Sequence, residues 1–309
     1  MPARPPSLGF LAFLVVVAVI VAGVGAGLLY EYNHPKGPSS PLVVAVGDNV
    51  TVNYIGMFGS GPQQGRVFDT SIASVAADKS VYPKSLEYSP RNASGYTPLP
   101  VHVGPNTPSS GYNLSGQTYL GVVPGFWEGL VGLQVNQTRW VTIPEHLGYG
   151  PLNPACLRTA PLVQTIPAVV TVTTHAFTTD YPGDLGVAGA SFADPTYGWT
   201  DTVLSANASA VVVERTPYLG ETTHPYGWTI VVEGITSQTI TLESQLTASS
   251  VGNVLGSVSG VTVCSTTSFL VWSVDPANNT FTENYNREVV GQTLIFVVTI
   301  VTILPPLLP

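Results

Sequence analysis

The stretch Val122-Val123-Pro124-Gly125-Phe126-Trp127-Glu128-Gly129-Leu130-Val131-Gly132-Leu133 contains Gly125–Gly132, which is apolar on one side and preceded by Pro124. We read Gly125–Gly132 as a short helix, the one convincing helix of the chain beyond its N-terminal region. The sequence around it reads as strand. Asn49-Val-Thr-Val-Asn-Tyr54 alternates apolar and polar residues with the period of a half-buried strand, and the Gly56–Gly65 stretch after it is rich in turn residues. Arg139-Trp-Val-Thr-Ile143 and the stretch from Thr293 to Ile300 carry the same signal. The expected fold class is α+β and β-dominated, with one short helix packed on a sheet.

Composition supports a β-rich chain with an unusual surface. Of the 309 residues, 44% are hydrophobic and only 9% charged, so solubility rests on Ser, Thr, Asn and Gly or on attached sugars. With 31 Gly and 27 Pro, long helices are broken and short strands favoured. Ten Lys plus Arg against eighteen Asp plus Glu leave a net charge of −8. No basic stripe is present to neutralise phosphates, so no nucleic-acid partner is expected.

From Leu8 to Tyr30 the chain is uncharged and would reach roughly 34 Å as a helix, enough for a hydrocarbon core of about 30 Å. It exceeds the apolar region of about 7 to 15 residues in a cleavable leader, and is read as an uncleaved transmembrane signal anchor. Arg4 precedes the span and Glu31 follows it, which places the remainder on the extracytoplasmic side of the cell membrane in a single-pass arrangement. Residues 31–41 form a Pro/Ser/Gly linker. Six Asn-x-Ser/Thr triplets, at Asn49, Asn92, Asn113, Asn136, Asn207 and Asn278, suit an exported chain.

Residues 151–283 are poor in charge and dense in Thr, Val and Ser. Tyr197-Gly-Trp-Thr200 recurs as Tyr226-Gly-Trp-Thr229, and each copy is followed by two β-branched strands around a polar turn, the pattern of a β-hairpin. A weaker third copy runs from Phe269 to Glu283. The aromatic residue of each copy reads as a core anchor. Cys156 and Cys264, both in this region, leave two readings open: a disulfide, or two buried thiols that never pair.

Conventional catalytic signatures are scarce. His34, His102, His146, His175 and His224 lack metal-ligand spacing, and no phosphate-binding loop, dinucleotide fingerprint or nucleophile elbow occurs, so neither cofactor nor metal is implied. An ordered series of other motifs is present. It consists of Gly47-Asp-Asn-Val-Thr-Val-Asn-Tyr54-Ile-Gly56, Gly65-Arg-Val-Phe68-Asp69-Thr-Ser71, the Val122–Leu133 stretch, Val141-Thr-Ile-Pro-Glu-His-Leu147-Gly-Tyr149-Gly150, and Val290-Gly-Gln-Thr-Leu-Ile-Phe296-Val-Val298. The series resembles the FKBP-type peptidyl-prolyl cis/trans isomerases over 42–150 plus 284–303. The resemblance implies a curved antiparallel sheet wrapped on one helix, with an apolar basin between them. By that resemblance Tyr54, Phe68, Asp69, Val122, Val123, Phe126, Tyr149 and Phe296 form the catalytic basin, with Leu99 and Leu147 as further substrate contacts.

Departures from the family pattern are expected to matter. Phe126 stands where the family usually has Trp. The stretches Ser71–Thr97 and Pro105–Gly121 are longer than usual and could cover one wall. Residues 151–283 fall where SlyD-like members carry an insert in the flap, which implies an inserted all-β domain that holds unfolded chains. The expected function is that of a membrane-anchored, extracytoplasmic isomerase and chaperone acting on proline-containing unfolded or exported polypeptides. The alternative is a catalytically inactive surface, adhesion or scaffold protein of the same fold, favoured if the long loops fill the basin.

Overall fold

The computed structural model describes residues 42–306, apart from 106, 115, 182–185 and 259–261. The apolar segment 8–30 and the linker 31–41 therefore lie outside the described residues, and among the described residues no helix is long and apolar enough to cross a membrane.

The chain opens with β1 (Asn49–Phe58), β2 (Val67–Thr70) and α1 (Ala73–Ala77), then β3 (Leu99–His102), a small hairpin of β4 (Tyr112–Leu114) and β5 (Gln117–Tyr119), α2 (Pro124–Leu130) and β6 (Thr138–Ile143). Three consecutive strands follow: β7 (Leu157–Pro161), β8 (Val163–Pro167) and β9 (Val169–Thr173), with α3 (Thr174–Asp180) after them. Next come β10 (Ser191–Ala193), β11 (Thr200–Ala206) and β12 (Ala210–Arg215), β13 (Thr222–Thr223), β14 (Ile230–Ile235) and β15 (Thr239–Ser244), then β16 (Leu255–Ser257), β17 (Ser268–Asp275) and β18 (Thr280–Asn284). The long strand β19 (Leu294–Leu304) ends the described chain.

The body is a five-stranded antiparallel sheet in the order β2-β1-β19-β6, with β3 also paired to β1. Helix α2 packs on it, and Gly125 and Gly129 let it approach closely. A Cβ at Gly125 would lie 2.6 Å from Ile143 Cγ2 and one at Gly129 2.4 Å from Val141 Cγ1, so neither position has room for a side chain. The main core gathers Val50, Val52, Leu130, Ile143, Leu294, Val298 and Ile300, all fully buried. Contrary to the expectation of a single helix, α1 lies on the other side, where Ile55, Val67 and Val75 form a smaller core joined by Ile72, Tyr82 and Tyr88. Because both faces of β1 are thus covered, the strand runs on to Phe58 through residues that lack alternation.

Between β6 and β19 the chain builds three four-stranded sheets of one design: β10-β11-β12-β9, β13-β14-β15-β8 and β16-β17-β18-β7. Each contains a hairpin with a bulge at the equivalent place, between Val203 and Ser205, Val232 and Gly234, and Val271 and Ser273. The hairpins take β9, β8 and β7 in reverse order of the sequence. Trp199, Trp228 and Phe269 are all buried, and Tyr197 and Tyr226 join their hydroxyls at 3.1 Å. Leu270 pairs with Asn284 as Val231 does with Glu243, so Phe269 occupies the place of Ile230. The expectation of an all-β segment is corrected, since α3 packs Phe177 on Val203, Val211 and Val213.

Cys156 and Cys264 form a disulfide across a sequence separation of 108 residues. Asn49 is buried and its Oδ1 accepts from His102 Nδ1 at 3.0 Å, so its triplet is inaccessible in the folded chain. Replacing both cysteines by Ser is expected to lower stability to urea by at most about 4–5 kcal/mol on the loop-entropy estimate. An unchanged unfolding midpoint would show that the bridge carries no stability.

Candidate functional site

Register assembles the site. On β1, Gly56 stands opposite Phe296 of β19 and opposite Asp69 of β2. The glycine is needed there: a Cβ would lie 2.7 Å from Phe68 Cζ and 2.9 Å from Phe296 Cε1. Two residues earlier on the same face, Tyr54 is buried, and from above α2 contributes Phe126 while Val123 caps the helix. Phe296 is the hub of the aromatic group. Its ring centroid lies 4.9 Å from Phe126 at 88°, 5.5 Å from Phe68 at 86° and 6.1 Å from Tyr54. Edge-to-face pairs of this kind hold their geometry as well as burying area.

These rings line an open cavity of about 280 Å³, together with Asp69, Leu99, Gly121, Val122, Val123 and Tyr149. Nine of the ten residues named from sequence thus meet in one place. Leu147 does not: it packs against the body core and underlies Gly125, so its expected substrate contact is corrected to a supporting position. Among the described residues neither long stretch fills the cavity. The 105–121 stretch contributes Gly121 to its wall, and the 71–97 stretch supplies a side chain at its rim.

That side chain is Arg91, which sequence reasoning missed. Its Nη2 forms an ion pair with Asp69 Oδ1 and donates to the Tyr54 hydroxyl oxygen at 3.1 Å, and its Nη1 donates to the Thr70 carbonyl at 3.2 Å. The Tyr54 hydroxyl donates to Asp69 Oδ2 at 2.5 Å, and the Thr70 amide donates to Oδ1 at 2.8 Å. A carboxylate beside an apolar strand needs such donors, and here both oxygens are served. Burial first, and then the bond to Asp69, hold the Tyr54 hydroxyl protonated well above the usual phenol range, so it acts as a donor at every physiological pH. The available sequence signal was isolation: no other Arg occurs between Arg66 and Arg139.

A second cavity of about 440 Å³ shares Phe68, Asp69 and Tyr149 with the first and extends it. Apart from Val289 its remaining walls are polar: Glu87, Ser89 and Arg91 from the long stretch, and Arg287 and Glu288 from the segment leading into β19. The Arg287 guanidinium lies 5.6 Å from the Tyr149 ring centroid. Glu288 accepts from Ser85 Oγ at 3.1 Å and Gln63 Nε2 at 3.4 Å. Burial pushes its carboxyl up to about 7, with neighbouring Glu87 adding to the effect. The arrangement is an apolar cup opening into a charged trough. Such a surface binds and desolvates, and it offers no paired nucleophile and base.

No family model matches the chain. Over 125 residues, 40% of its length, it is 31% identical to a short-type peptidyl-prolyl cis-trans isomerase of Methanocaldococcus jannaschii. The chain spans 59% of the length of that curated relative.

Two outcomes follow from the geometry. Gly56→Ala should push Phe68 and Phe296 apart and cost about 1–3 kcal/mol in a denaturation curve; unaltered stability would mean that the rings are not in tight contact. Glu288 is protonated when folded and ionised when unfolded between its ordinary value of 4.5 and about 7. Its contribution is therefore fully present below the lower value and lost as pH rises through the upper one. Unfolding midpoints between pH 5 and 8 should fall less steeply in Glu288→Gln than in the native chain, and equal slopes would contradict the assignment.

Proposed function

We propose that the chain is a peptidyl-prolyl cis/trans isomerase whose reaction takes place in the aromatic cup. The observation that carries this reading is the open cavity of about 280 Å³ lined by Tyr54, Phe68, Phe126, Tyr149 and Phe296 with one satisfied carboxylate at its edge. Rotation about an Xaa-Pro bond faces roughly 18–20 kcal/mol because resonance stiffens the C–N bond. No covalent bond has to break. An apolar cup takes up the pyrrolidine ring and strips water from the imide carbonyl, which favours the twisted and less conjugated geometry over either planar one. Phe68, Phe126, Tyr149 and Phe296 hold the ring, Val122, Val123 and Leu99 close the wall, and Tyr54 with Asp69 fixes the polar edge where the carbonyl turns. Arg91 neutralises Asp69, so that edge is a set of oriented dipoles instead of a bare charge.

The finer reading adds location and clients. The apolar segment 8–30 serves as a membrane anchor and the rest acts outside the cytoplasm on proline-containing unfolded or exported polypeptides. The Cys156–Cys264 disulfide supports an oxidising compartment. Residues 151–283 serve as a SlyD-like insert in the flap that holds clients. Support for a separable insert comes from its ends: the Asn153 amide donates to Asn286 Oδ1 at 3.0 Å, and the Tyr285 amide to the Cys156 carbonyl at 2.8 Å.

The native chain should accelerate isomerisation of an Xaa-Pro tetrapeptide. Phe296→Ala and Asp69→Ala should each lower kcat/KM about tenfold or more, which corresponds to about 1.4 kcal/mol of lost transition-state binding. Absence of any acceleration by the native chain would overturn the reading. Joining Asn153 to Asn286 by a short turn should spare peptide turnover and slow the refolding of a proline-limited protein; unchanged refolding would remove the chaperone role.

A further inference from the structure

The shared register of the three repeat sheets makes their positions comparable one by one. Val213 pairs with Val203 on one side and Val170 on the other, Leu242 with Val232 and Gln164, and Glu283 with Val271 and Arg158. All three central residues are buried, at 1%, 0% and 2% exposure. The third repeat thus sets a carboxylate where the other two have Val and Leu, and an arginine where they have Val and Gln. A second departure lies one sheet away. In the first repeat Trp199 Nε1 donates to Asp201 Oδ1 at 3.0 Å, but Ile230 takes the place of that aspartate in the second, and the buried Trp228 Nε1 has no partner.

Both departures border one cavity. It measures about 90 Å³, lies between the second and third sheets, and is lined by Tyr226, Trp228 and Phe281 together with Glu283, Arg158 and Gln164. The rings stand at an angle to one another, Trp228 to Phe281 at 5.6 Å and 72°, and Tyr226 to Trp228 at 5.5 Å and 47°. Glu283 is incompletely served. Its Oε2 accepts from the Tyr285 hydroxyl at 3.0 Å and lies 3.6 Å from Arg158 Nε, too far for a hydrogen bond, and among the described residues its Oε1 accepts none. Asp201, by contrast, has one donor on each oxygen, Trp199 and Tyr181. Burial raises the Glu283 carboxyl above its ordinary range, against the opposing pull of the Tyr285 hydroxyl and of Arg158.

We propose that this cavity binds a primary ammonium group, with Glu283 as counter-ion and Tyr226, Trp228 and Phe281 as the aromatic wall. A carboxylate supplies the ion pair and the ring faces supply cation–π attraction, a combination that favours a compact cation over a neutral or anionic group. Arg158, whose side chain is 44% exposed, sits at the mouth as a loosely held stand-in that swings into solvent when the ligand enters. The ammonium can come from a lysine side chain of a bound polypeptide or from a free amine. The site is independent of proline isomerisation, which takes place on the body sheet.

Titration of the whole chain, followed by tryptophan fluorescence and calorimetry, tests this with three probes: butylammonium ion, a lysine-containing peptide, and the same peptide acetylated on the lysine. Saturable binding of the unmodified peptide alone would assign the site to polypeptides, and of butylammonium alone to free amines. Glu283→Leu restores the residue of the second repeat, and should keep the fold while weakening binding by at least about tenfold. Arg158→Ala should tighten it. If Glu283→Leu fails to fold, the isosteric Glu283→Gln reads the same loss. No saturable binding of either amine, equal binding of the acetylated peptide, or undiminished binding by the folded Glu283 variant would overturn the proposal, whatever the isomerase assay gives.

Discussion

The pairing of β19 with β1 is the constraint on which the body depends. Ten residues of β1, from Asn49 to Phe58, are matched to β19, which also carries β6 on its other edge. Remove that strand and the sheet loses its middle, β6 with α2 loses its support, and Phe296 leaves the aromatic group. The two partners are more than two hundred residues apart in sequence, so their pairing closes a very long loop. Loop entropy grows only logarithmically with length, and the strand pairing recovers it through a continuous ladder and a row of buried Val, Leu and Ile.

Electrostatics at the cup follow from the same economy. The chain has few cations, yet Arg91 is committed to Asp69 and Tyr54, and Arg287 to the face of Tyr149. The first fixes the polar edge of the cup and the second places a positive charge where the cup widens into the trough. Both lie on segments that lengthen or connect the basic fold, Arg91 on the long stretch after β2 and Arg287 just before β19. The lengthened stretch thus adds polar wall to the site without obstructing it.

How much of this could be read from the sequence depended on whether a residue's neighbours were local. Tyr54, Phe126 and Phe296 could be placed because each sits in a short motif of the ordered series that resembles a known family. Leu147 lies in such a motif too, but the turn after β6 carries its side chain under Gly125 and away from the cavity. Arg91 lay in a stretch with no periodicity, and only the fold brings it back to β2. The hairpins of 151–283 were legible from the recurring Tyr-Gly-Trp-Thr and β-branched runs. Their partners β7, β8 and β9 were not, because a strand whose mate is far away leaves no mark of that mate in its own residues.

The order in which β9, β8 and β7 take their hairpins has a consequence for how the chain emerges from the ribosome. The pairings are nested like brackets: the strand made last of the three finds its hairpin first, and the strand made first waits longest. The inner pairings close shorter loops than the outer ones, so loop entropy favours closing them first. The covalent link between Cys156 and Cys264 lies with the outermost of these sheets, so it spans the residues of the two inner ones.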